Sequence, residues 1–151
     1  VITNFRHVGI VVPDLDAALD FYGRVLGLQV IRRMAEGGEF LEMLLGIPDV
    51  KATTVKMGLA ATVDDAPAIP VIELLFFHQP IARQVQRRLD DRGPTHLALT
   101  VDSIDDLYDR LKNEDFSFIS APVLSEDGAV KLAFGQTADG TFLELVEEIG
   151  D

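Results

Sequence analysis

The sequence contains no cysteine. Disulfides and thiolate-ligated metal sites are therefore excluded, and a cytoplasmic location is expected. Positive charge is scarce. Thirteen Lys and Arg stand against 25 Asp and Glu, for a net charge of −12. That balance disfavours DNA and RNA as partners, because phosphate binding needs clustered Lys and Arg. The acidic excess reads as solvated surface. It also lowers the local concentration of anionic substrates unless the site carries positive charge of its own. Long apolar runs are missing too. None approaches the roughly 18 residues of a membrane helix, and the chain opens with no basic-then-apolar leader, so no membrane partner is expected. What is present is 151 residues with 48% hydrophobic content, enough for one compact domain with a real core.

The chain repeats itself. His7-Val-Gly-Ile-Val-Val-Pro-Asp-Leu-Asp16 aligns with His96-Leu-Ala-Leu-Thr-Val-Asp-Ser-Ile-Asp105. Val71-Ile-Glu73-Leu-Leu aligns with Phe142-Leu-Glu144-Leu-Val. Each half thus opens with a His in an apolar run and closes with a Glu in an apolar run. Such self-similarity signals duplicated structural units.

Within the first half, residues 5–12 are apolar and β-branched and read as a strand containing His7. Pro13 stops it, and Asp14 is positioned as a helix N-cap. Leu15, Ala18, Leu19, Tyr22, Val25 and Leu26 recur at helical spacing, and Gly27 ends that helix. Strands are expected over 28–34, 53–57 and 71–77. A turn at 36–39 leads into the run 40–45, counted with the strand region that Gly46 and Pro48 interrupt. Residues 58–70 read as a long loop, and 80–92 as a short connecting helix. In the second half a strand is expected over 95–101. Ser103 then opens a helix with capping-box spacing to Asp106, striped by Ile104, Leu107, Tyr108 and Leu111. Strands follow at 117–120, 130–134 and 141–146, with a turn at Asp139-Gly140 before the last.

The expected architecture is α+β: two paired βαβββ modules, 1–79 and 94–149, joined by a linker over 80–93 into a single domain. A four-stranded sheet backed by one helix leaves a face uncovered, and the other module is the natural cover. The two sheets are expected to form a half-open barrel around a metal site. His7, Glu73, His96 and Glu144 are the candidate ligands. Glu73 and Glu144 each lie between aliphatic neighbours, so on a strand they face away from those neighbours. A carboxylate directed into a pocket needs a cation, and two imidazoles with two carboxylates suit Zn, Ni, Co, Mn or Fe. Other residues carry weaker signals. His78 has no repeat counterpart and reads as a strand end. Glu36, Glu39 and Glu42 flank glycines in a turn, with Glu42 a minor acid/base candidate. Arg32, Arg33 and Lys131 lie on expected strands and read as surface, with an anionic substrate group as the alternative. Phe76 and Phe77 read as core.

These segments, with Phe21-Tyr22 and Leu26-Gly27-Leu28, resemble the vicinal oxygen chelate superfamily of glyoxalases, methylmalonyl-CoA epimerases, extradiol dioxygenases and fosfomycin- and bleomycin-resistance proteins. The likeness spans nearly the whole chain. The His-Glu-His-Glu order is most similar to bacterial glyoxalase I, and the segment from His7 to Leu28 also resembles the epimerases. The epimerases typically carry Gln where Glu73 stands. The resemblance implies a divalent-metal-dependent lyase or isomerase acting on a small molecule with adjacent oxygens. Glu144, by resemblance, or Glu73, by pseudo-symmetry, would remove a proton α to a metal-polarised carbonyl. It also implies a homodimer. The alternatives are a ring-cleaving extradiol dioxygenase, which would use His7, His96 and Glu144 and leave Glu73 surplus, and a non-catalytic bleomycin-resistance-like drug-binding protein.

Overall fold

A computed structural model describes residues 1–59 and 69–150. The chain separates into two compact units, Val1–Arg83 and Gln84–Asp151. Among the described residues, no helix is long and apolar enough to cross a membrane.

In the first unit, strand β1 (Val8–Val11) ends at Pro13, and helix α1 (Leu15–Leu19) follows. The Asp14 carboxylate accepts a hydrogen bond from the Ala17 amide at 3.0 Å, capping a donor that has no partner inside the helix. The helix widens into a π-helical turn over Asp20–Val25 and stops where Gly27 adopts φ +80°. Arg24 bonds Asp20 one turn back at 2.7 Å and holds that exposed carboxyl below its ordinary pKa. Leu15, Ala18, Tyr22 and Val25 form the buried stripe. Strands β2 (Gln29–Gly37), β3 (Lys51–Leu59) and β4 (Ile69–Gln79), with helix α2 (Glu39–Leu45) between β2 and β3, complete the unit. The sheet order is β1-β4-β3-β2, with β1 parallel to β4. Ile10, Val55, Met57, Ile72 and Leu74 are buried together with Tyr22. Burial of each such side chain contributes about 1.5–3 kcal/mol.

The second unit repeats the plan. Strand β5 (His96–Thr100) leads to helix α3 (Ile104–Leu111), then β6 (Phe116–Phe118), β7 (Val123–Leu124), β8 (Val130–Thr137) and β9 (Phe142–Glu148). The order β5-β9-β8-β6, with β5 parallel to β9, reproduces that of the first sheet; β7 adds a short strand on β8. Ser103 caps α3 by accepting from the Asp106 amide at 3.4 Å. The Ile104 amide donates to Glu147 on β9 at 2.8 Å, so the sheet also satisfies the helix start. Ile104, Leu107 and Leu111 are buried, as the stripe predicts. Gly140, at φ +92°, turns the β8–β9 hairpin. The α+β class and the βαβββ modules are as expected.

Three local expectations are corrected. Residues 39–45 are helical instead of extended. That segment has no β-branched residue and is rich in Glu, Leu and Met, which favour helix. Glu39 and Glu42 lie in its first turn, where the helix dipole favours them, and Gly38 and Gly46 at positive φ delimit it. Residues 80–92 form no helix. Ile81 and Val85 stay exposed, and a segment this short has little helical stability without a buried face. Arg88 instead makes local bonds to Asp90 and Asp91. The first strand begins at Val8 and not at Phe5. Its register with β4 starts opposite Ile72, and extending it backwards would meet Pro70, which has no N–H to give. Most of the expected 58–70 loop lies outside the described residues; Gly58 and Leu59 belong to β3, and Ile69 and Pro70 to β4.

Candidate metal centre

Glu73 sits in β4 between Ile72 and Leu74, which are wholly buried. Strand alternation directs Glu73 to the other face. Its register partner on β1 is Gly9, and His7, which immediately precedes β1, reaches Glu73 from the start of that strand. The His7 Nε2 and Glu73 Oε2 atoms are 3.0 Å apart, with side chains 25% and 15% exposed. The second unit builds the same pair the same way. Glu144 lies between the wholly buried Leu143 and Leu145. Its partner on β5 is Ala98, and His96 lies two residues before it. His96 Nε2 stands 3.2 Å from Glu144 Oε2, with side chains 35% and 22% exposed.

These pairs suit a divalent ion. Imidazole nitrogen and carboxylate oxygen bind such ions at about 2.1 Å, so two donors at right angles stand about 3.0 Å apart. A proton shared between imidazole and carboxylate gives a similar distance, and the same geometry serves both states. His96 Nδ1 lies 2.8 Å from Thr95 Oγ1, a contact of the kind that fixes the tautomer of a ligating imidazole. Among the described residues, no three His, Asp or Glu gather into one ion-holding group, so each module offers two donors.

The surroundings of the two pairs differ. In the first module Lys56, on β3, stands opposite Glu73, its Nζ 3.7 Å from Oε1. In the second, Phe134 on β8 stands opposite Glu144 and meets the His96 ring edge-on at 5.1 Å. Sequence reading passed over Lys56. Its neighbours Val55 and Met57 are buried, but its place opposite Glu73 is set by long-range strand pairing and has no local signal in the sequence.

The remaining candidates fall outside these pairs. His78, near the end of β4, shares a hydrogen bond with the buried Thr53 hydroxyl at 2.9 Å and packs edge-on against Phe76. Glu36 lies on β2, and Glu39 and Glu42 start α2. Lys131 pairs with Asp105 at 2.7 Å. Arg32 and Arg33 are exposed on β2. Phe76 and Phe77 are half-buried.

Residues 4–145 match the model of the glyoxalase/bleomycin resistance protein/dioxygenase superfamily, so the chain belongs to that family, the vicinal oxygen chelate superfamily. Solved structures share the fold. A glyoxalase family protein from Bacillus cereus superposes with a TM-score of 0.83 at 24% identity, over 99% of this chain and 96% of that one. The trypanothione-dependent glyoxalase I of Leishmania major gives 0.67 at 23% identity, over 97% and 88%. A fosfomycin resistance protein from Listeria monocytogenes, solved with Mn(II) and sulfate, gives 0.62 at 13% identity, over 99% and 95%.

Proposed function

We propose that the chain is a divalent-metal-dependent lyase or isomerase that moves a proton α to a carbonyl, with His7, Glu73, His96 and Glu144 holding the metal. The observation that carries this reading is the His–Glu pair built twice at one register, 3.0 Å and 3.2 Å apart. His7, Glu73, His96 and Glu144 would hold the ion, and a divalent ion with these four ligands would still accept adjacent substrate oxygens. When bound, the ion supplies Lewis-acid polarisation of the substrate carbonyl.

The chain's own residues do the rest. His7 and His96 each present Nε2 to the paired carboxylate. Glu144 is the proton acceptor: its carboxylate takes the α-hydrogen as a proton, while the C–H electron pair moves toward the carbonyl oxygen. The resulting carboxylic acid returns the proton to the former carbonyl carbon, while the proton of the adjacent hydroxyl passes to the former carbonyl oxygen, which closes an isomerisation. The wholly buried Leu143 and Leu145 fix the strand on either side of Glu144, so the base is held on a rigid element. Glu73 has the same strand setting but a cation beside it, and serves as ligand. A homodimer is part of the proposal.

The test is turnover of a panel of hemithioacetals and acyl thioesters, without oxygen, before and after chelation. Expected is activity that disappears with chelator and returns with added metal. Full activity in the chelated protein overturns the proposal. Oxygen uptake with a catechol would assign the ring-cleaving alternative instead, and tight metal-free drug binding without turnover the drug-binding one.

A further inference from the structure

In the first module the register lays a row of charge across the face that carries Glu73. Gly9, Glu73, Lys56 and Arg32 are successive partners across β1, β4, β3 and β2. Register partners place their side chains on one face of a sheet. His7 shares that face, because it contacts Glu73. Lys56 is half-buried, 23% exposed, and Arg32 lies one strand further out. In the second module the position of Lys56 is taken by Phe134. The ligand pairs repeat, but their neighbours do not: one carboxylate faces an ammonium and the other a phenyl ring.

Charge balance gives this difference a consequence. In the absence of an ion, Glu73 is the counter-charge of Lys56. A dication on Glu73 takes that carboxylate over. Lys56 is then a half-buried cation beside a positive centre, with Arg32 adding a second positive charge along the row. A cation withdrawn from water and left without an anion is costly, so the loaded site favours an anionic ligand group. The chain as a whole carries −12 and repels anions. A local row of cations is what such a protein needs to bind one.

We propose that Lys56, with Arg32 behind it, forms a subsite for an anionic substrate group, a carboxylate or phosphate, on a small molecule whose adjacent oxygens reach the metal; this rests on the metal reading above. Neighbouring strands are about 4.8 Å apart, which places the anionic group about 5–10 Å along the sheet from Glu73. That spacing fits a short acid bearing both functions.

The probes are 2-hydroxybutyrate, malate and 3-phosphoglycerate. All share a 2-hydroxy acid end with adjacent oxygens; malate adds a distal carboxylate and 3-phosphoglycerate a distal phosphate. Binding to the metal-loaded protein is measured by titration calorimetry at fixed ionic strength, with metal content determined in parallel. Malate, 3-phosphoglycerate or both should bind roughly ten- to hundredfold more tightly than 2-hydroxybutyrate, as a charge-assisted contact gives. Which of the two is preferred identifies the anion. Lys56→Met should abolish the preference with metal content unchanged, and Lys56→Arg should keep it. Equal affinity for all three probes, or a preference that survives Lys56→Met, overturns the subsite while leaving the metal reading in place. A protein that retains no metal overturns the metal reading and takes the subsite with it.

Discussion

At the scale of single residues, the proposed chemistry turns on Glu144. Glu144→Gln keeps an oxygen that can coordinate but loses the carboxylate that accepts a proton. Steady-state rates should fall by roughly two to four orders of magnitude, with metal largely retained. Full turnover in metal-loaded Glu144→Gln would move proton abstraction to Glu73. The four candidate ligands were legible because each interrupts an apolar run, and the interruption occurs twice at matching places. Lys56 was not legible. Its meaning depends on facing Glu73 across β3 and β4, and that register is set by long-range pairing. Glu147 was hidden for the same reason: it serves a helix start 43 residues away in the chain.

Elements were legible where their signals are local. Asp14 and Ser103 announce the starts of α1 and α3, and both caps are made. The stripe of α3 and the turn at Gly140 are equally local. Residues 39–45 misled because a short apolar run fits strand or helix by hydrophobicity alone, and propensity with flanking glycines decides between them. Residues 80–92 misled because helix-compatible composition does not supply a surface to bury against. One packing contact between elements makes a direct test. Gly135 on β8 lies under the Phe116 ring of β6, and a Cβ there would overlap that ring and sit 3.0 Å from the Ser117 carbonyl oxygen. Gly135→Ala should destabilise the second module by about 1–3 kcal/mol, read as a lower denaturant midpoint. An unchanged midpoint would mean that the ring swings clear without cost.

For the whole molecule, the internal repeat was the strongest signal in the sequence. It predicted two βαβββ modules, and the sheets share one strand order, with a parallel first pair in each. Among the described residues, the edge strands are β1 and β2 in the first sheet and β5, β6 and β7 in the second. Val8, Val11, Val30 and Ile31 are exposed on the first sheet's edge strands, and Phe40, Met43 and Leu44 are exposed on α2. Open edges with apolar side chains favour self-association, and twofold closure is its commonest form. Light scattering should therefore give twice the chain mass, and a monomer at high protein concentration would refute the dimer.

The central claim is the proposal that His7, Glu73, His96 and Glu144 are ligands of one divalent ion. Metal analysis by mass spectrometry on the purified protein and on His7→Ala and His96→Ala tests it most directly. The expected result is one divalent ion per chain in the unaltered protein and almost none in either variant, because each removes a ligand of the same ion. Two ions per chain with one kept in each variant, or no ion in the unaltered protein, would contradict it.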